Sequence, residues 1–170
     1  GSIPVYVPEK MAPSAFNPGP RVQVVKRPRV LGPGIASMGA IPEYLFIMGM
    51  TLEQGLAVNV AGKGIVLIIG CGHQGVGRIL ERAAMLFQEP VHAVIGGLHF
   101  PVNGGRIMAG PFNVQRIVGS NRPPWNGLDE KDVRAAIELL KKANVQRVAL
   151  SPHDSSDWSL AQFKKGPDIV

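Results

Sequence analysis

The chain has 170 residues, a formal charge of +6 at pH 7 and 45% hydrophobic residues, which suits one globular domain with a sizeable core and excludes a disordered chain. Its longest apolar runs, such as Gly64 to Gly70, fall far short of the about 20 residues a bilayer span needs, and no basic stretch leads into an apolar secretion signal. The bases are scattered in small clusters (Lys26-Arg27-Arg29, Lys141-Lys142, Lys164-Lys165), which argues for a solvated basic surface rather than a nucleic-acid or membrane partner and leaves a small, anionic substrate as the alternative.

Gly (21) and Pro (15) are both abundant and crowd into the first quarter and the stretch from Pro101 to Gly127, so both regions are expected to be loop-rich. Ile3 to Val7 and Arg21 to Val25 read as short strands. From Arg27 to Pro42 the breakers Pro28, Gly32-Pro33-Gly34 and Pro42 predict a loop. Leu56 to Val60 and Ile65 to Ile69 are β-branched apolar runs separated by Ala61-Gly62-Lys63-Gly64, a hairpin signal.

A helix is predicted from Val76 to Gln88, because Val76, Ile79, Leu80, Ala83 and Phe87 share one helical face. Val91 to Ile95 is a further strand, ended by Gly96-Gly97. Asp129 is the expected N-cap of a helix whose stripe is Val133, Ala136, Ile137 and Leu140, with Asn144 as its stop. A strand at Val145 to Leu150 and a helix starting near Ser155 or Ser156 and running to Gly166 complete a β-β-α-β-α-β-α second half, the pattern of a layered α/β fold.

Three of the four histidines follow strands: His73 after Ile65 to Ile69, His99 after Val91 to Ile95, and His153 after Val145 to Leu150. If those strands are parallel, their carboxyl ends share one edge, where α/β proteins place binding sites. Three imidazoles there suit a divalent metal, although a lone histidine after a strand is commonly a hydrogen-bonding turn residue. His92, inside a strand, is expected to lie outside the site. Cys71 is either a thiolate ligand or a small buried side chain; as the single cysteine it excludes an internal disulfide and fits a reducing cytoplasm. Asp154 is expected to serve the site by ligation, by orienting a ligand histidine or in catalysis, with capping of the following helix as its rival role.

Gly70-Cys71-Gly72-His73-Gln74-Gly75 is a literal G-x-G-x-x-G between a strand and a helix, the fingerprint of a dinucleotide loop. The alternative function is therefore a non-catalytic nucleotide-binding α/β module. The acid expected at the end of the next strand is missing, because Val91 to Ile95 runs into Gly96-Gly97-Leu98-His99.

Four ordered segments carry a resemblance: Glu53-Gln54-Gly55-Leu56-Ala57-Val58, Ile69-Gly70-Cys71-Gly72-His73, Ile95-Gly96-Gly97-Leu98-His99 and Ser151-Pro152-His153-Asp154. Over Ile41 to Lys165 the chain resembles the C-terminal half of metallo-β-lactamase-fold hydrolases, in the branch related to dihydropterin ribofuranosylaminobenzene phosphate synthases. The resemblance implies an αββα sandwich and a mono- or dinuclear metal site. Zinc comes first, with manganese or iron as alternatives, activating water for attack on an ester, amide or phosphodiester.

His73, His99 and His153 are the implied ligands, with Cys71 where many relatives carry Asp. Gly72 and Gln74 depart from the family's Ser and Pro. Its H-x-H-x-D-H motif is absent from these residues and is expected just before a segment resembling Ile3 to Pro8. Residues 1–170 are accordingly expected to be the C-terminal portion of one such domain, with 1–40 a loop-rich lead-in. A relative that keeps the fold without metal is the third possibility.

Overall fold

In the computed structural model, which describes residues 3–11 and 19–165, the expected hairpin is the centre of the sheet. β5 (Gly49–Val60) and β6 (Gly64–Ile69) pair antiparallel from Val60↔Gly64 to Gly55↔Ile69. β7 (Val91–Gly96) adds parallel to β6, and β10 (Arg147–Leu150) adds parallel to β7. β4 (Ile35–Leu45) and β3 (Arg29–Gly32) extend the other side antiparallel, giving the order β10-β7-β6-β5-β4-β3. β1 (Pro4–Val7) and β2 (Arg21–Val24) form a separate parallel ladder.

The loop expected from Arg27 to Pro42 is instead two strands. Pro33-Gly34 forms the tight turn between β3 and β4, with Gly34 at φ 68°, a conformation that costs glycine little. Pro42 lies in the part of β4 beyond its last partner in β3 (Ser37↔Arg29). A missing N–H is tolerated where a strand has an open edge.

The remaining elements follow the chain's local chemistry. α1 (Val76–Leu86) buries Val76, Ile79 and Ala83. α3 (Glu130–Lys142) buries Val133, Ala136, Ile137 and Leu140 and starts in a capping box formed by Asp129 and Asp132. Asn144 adopts φ 55° just past its end. α4 (Asp157–Lys164) is capped by the Ser156 side chain, and the expected helix end at Gly166 lies outside the described residues. The segment 101–127 carries only a minimal hairpin, β8 (Met108–Ala109) with β9 (Phe112–Asn113), the short helix α2 (Val114–Val118) and one 3-10 turn.

Alternation along the strands assigns the two sheet faces. Ile65, Leu67 and Ile69 of β6, Val94 of β7 and Val148 of β10 are buried in one cluster with the stripes of α1 and α3 and with Phe163 of α4. Ile68 and Ile95, a cross-strand pair on the opposite face, are 42% and 40% exposed. No helix among the described residues is long and apolar enough to cross a membrane.

Candidate metal centre

Because β6, β7 and β10 are adjacent and parallel, the turns that follow them leave the sheet side by side. These turns pack too closely for side chains at two points. A Cβ on Gly72 would stand 2.4 Å from the Gly97 carbonyl oxygen, and one on Gly97 would stand 2.4 Å from the Gly70 oxygen and 2.6 Å from Asp154 Oδ2. Of the glycines in the G-x-G-x-x-G turn, Gly72 thus serves close approach between loops, a role independent of any phosphate, whereas a Cβ on Gly70 or Gly75 would meet nothing within 4 Å.

After β6, His73 lies against His99 with ring centroids 4.4 Å apart and ring planes tilted by 57°. Both Nε2 atoms border Gly119, where an added Cβ would meet them at 2.4 Å (His99) and 3.0 Å (His73). His99 is 4% exposed, has φ 50°, and neither ring nitrogen has a hydrogen-bond partner. Burial, then the charge of His73, lowers its pKa to about 4, so the imidazole is neutral at neutral pH. A non-glycine residue at positive φ costs roughly 1–3 kcal/mol and persists where its surroundings over-determine it.

The second group gathers around the end of β10. Cys71 Sγ lies 3.4 Å from His153 Nε2, and Asp154 Oδ2 lies 3.5 Å from that same nitrogen. The donor atoms of Cys71, His153 and Asp154 are all within 4.8 Å of one another. Ser151 Oγ sits 2.8 Å from His153 Nδ1, and Gln115 Nε2 donates to the His153 carbonyl at 2.8 Å. The first contact orients the exposed imidazole, and the second anchors the backbone that carries it.

Burial, followed by the negative charges of Asp154 and Glu53, raises the Cys71 thiol pKa, so a thiolate there needs a cation to displace its proton. Burial also raises the Asp154 pKa against the lowering influence of His153 and His73. Its Oδ2 is buried without a hydrogen bond. The two groups sense each other, since His153 acts on His99 and His73 acts on Asp154.

The capping role weighed for Asp154 falls to Ser156, whose side chain accepts from Ser159 N. His92 lies within β7, where its carbonyl accepts from Gln146 N. Glu53, part of the first resembling segment, has a role that residue spacing did not indicate. One carboxylate oxygen hydrogen-bonds His73 Nδ1, and the other accepts from Gly72 N at 3.1 Å and His73 N at 3.2 Å. Burial opposes ionisation of Glu53, but these hydrogen bonds and the charge of His73 outweigh it and lower its pKa. The turn amides that a dinucleotide phosphate would use are therefore already bonded to a carboxylate.

Imidazoles, a thiol and a carboxylate make a donor set suited to a divalent cation of intermediate softness. The partnerless nitrogens of His99 and the partnerless Asp154 Oδ2 are the buried polar atoms such an ion would satisfy. Beside His73 and His99 opens a cavity of about 180 Å³, also lined by Ser120, Asn121, Arg122 and Leu128.

The fold is similar to a solved structure described as a metal-dependent hydrolase of the beta-lactamase superfamily. The TM-score is 0.61 at 18% identity, covering 89% of this chain and 56% of that one. This likeness shows a mixed α/β fold of the beta-lactamase type. The chain thus spans little more than half of its neighbour's length. No family model matches the sequence, and no curated protein matches it.

Proposed function

We propose that this chain is the C-terminal portion of a metal-dependent hydrolase of metallo-β-lactamase fold, in the branch resembling dihydropterin ribofuranosylaminobenzene phosphate synthases. What supports the reading is one observation: the His73–His99 pair and the Cys71–His153–Asp154 group gather at the carboxyl ends of three adjacent parallel strands, with buried donor atoms left without partners. Residues 1–170 form a single domain portion. The second sheet of an αββα sandwich would cover the face that carries Ile68 and Ile95.

On this reading His73, His99 and His153 offer imidazole nitrogens and Cys71 a thiolate. Asp154 holds or receives a proton at Oδ2 beside His153. A divalent ion bound there, zinc before manganese or iron, would supply Lewis acidity and lower the pKa of a water molecule. The substrate is a small, anionic ester, amide or phosphodiester, and a reducing cytoplasm suits the single thiol.

A hydrolytic metal takes about three protein ligands and keeps a water position open, and two-metal sites take more ligands. An H-x-H-x-D-H segment would complete the set. The 170-residue chain is therefore expected to hold substoichiometric zinc and to turn over a chromogenic phosphodiester poorly. Extending it N-terminally with such a segment should raise both metal per chain, read by elemental analysis, and turnover. His153→Ala should remove most of that gain. Full occupancy with robust turnover in the short chain would reject the partial-site reading, and an extended chain without metal or activity would reject the hydrolase.

A further inference from the structure

We infer that Glu53 is a positioning residue for this centre: it locks His73 in the tautomer that leaves Nε2 bare, and it does so by filling the anion position of the Gly70–Gly75 turn. The inference rests on the proposed role of His73 as a metal donor.

The placement follows from register. β5 pairs Gly55 with Ile69, the last residue of β6, and β5 runs antiparallel. Glu53, two residues earlier in β5, therefore lies beside the turn that leaves β6. It is on the same strand face as buried Gly55 and Ala57, pointing toward the site rather than toward the exposed face. The consecutive amides of Gly72 and His73 converge on a single oxygen, with Gly72 at φ 77°, the arrangement that cradles anions.

An ionised carboxylate only accepts hydrogen bonds, so the His73 Nδ1 that it contacts carries the hydrogen. In a neutral ring Nε2 then keeps its lone pair, and Nε2 is the atom that borders Gly119 alongside His99 Nε2. One carboxylate thereby sets ring orientation, tautomer and turn conformation together. The anion position of the turn is thus filled by the chain's own carboxylate.

The test uses the metal-free, 15N-labelled chain at neutral pH, where long-range proton–nitrogen correlation shows which nitrogen of each imidazole is protonated. His73 is expected to be protonated on Nδ1. In Glu53→Gln, which fills the same volume but cannot accept from both the ring and the amides, the Nε2-protonated form is expected to appear. Zinc affinity, read by competition with a chromogenic chelator, should fall about 10- to 100-fold. Glu53→Asp, which restores the charge, should lie between wild type and Glu53→Gln in both readouts.

A wild-type His73 protonated on Nε2 overturns the inference. So does Glu53→Gln with a native amide spectrum and an unchanged tautomer and zinc affinity. Failure of wild type to bind zinc at all would reject the metal centre, while the tautomer readout would still decide the role of Glu53.

Discussion

At the residue scale, His99 combines a buried ring, two partnerless nitrogens and a left-handed backbone. Its pKa falls from 6.5 to about 4 on folding, through burial and the charge of His73. The unfolded chain therefore binds more protons than the folded one between those values, and stability rises with pH across that window. The contribution is fully present above about 6.5 and is lost as pH falls toward 4; the shift corresponds to roughly 3 kcal/mol. Urea unfolding of the metal-free chain should show this slope, and His99→Gln should flatten it. An equal acid slope in both proteins would show that other groups carry the acid sensitivity. Glu53 also has a lowered pKa, so its contribution has the same sign and is lost as pH falls below the ordinary carboxylate range.

At the scale of elements, the turns after β6 and β7 depend on their glycines in different degrees. Gly97 has three atoms within 2.8 Å of where its Cβ would stand, whereas Gly70 has nothing within 4 Å. Gly97→Ala forces the two turns and Asp154 apart and should cost about 2–3 kcal/mol, in the range of overpacked cores. Gly70→Ala should be close to neutral, and paired urea titrations measure the contrast. Equal effects would mean that the turns relax without resistance. The same close approach accounts for one glycine of the nucleotide-loop spacing: Gly72 is small because its backbone faces the backbone of Gly97.

At the scale of the molecule, the sheet has its described helical stripes buried against one face and leaves Ile68 and Ile95 open on the other. Apolar sheet faces are stable when covered by another layer, and exposed ones promote association. The 170-residue chain should self-associate with rising concentration in sedimentation velocity, and Ile68→Thr with Ile95→Thr should suppress this with little change in Tm. A chain that stays monomeric at high concentration with both isoleucines intact would show that this face needs no cover.

What was legible in the sequence was local. The stripes of α1 and α3, the Asp129 cap and the Gly62 hairpin follow from periodicity and turn chemistry within about a dozen residues. The position of each histidine just past a strand is equally local. β3 and β4 were hidden because Pro33 and Pro42 break strands in general, and only the register shows one in a turn and the other at an open edge.

The site itself is a product of strand order. The adjacency of β10, β7 and β6 aligns turns about 80 residues apart in sequence (His73 and His153). It also divides the donors into a His73–His99 pair and a Cys71–His153–Asp154 group. The antiparallel overrun of β5 delivers Glu53 to His73. No spacing along the chain encodes these contacts, because side chains from different strands meet only after the sheet has paired.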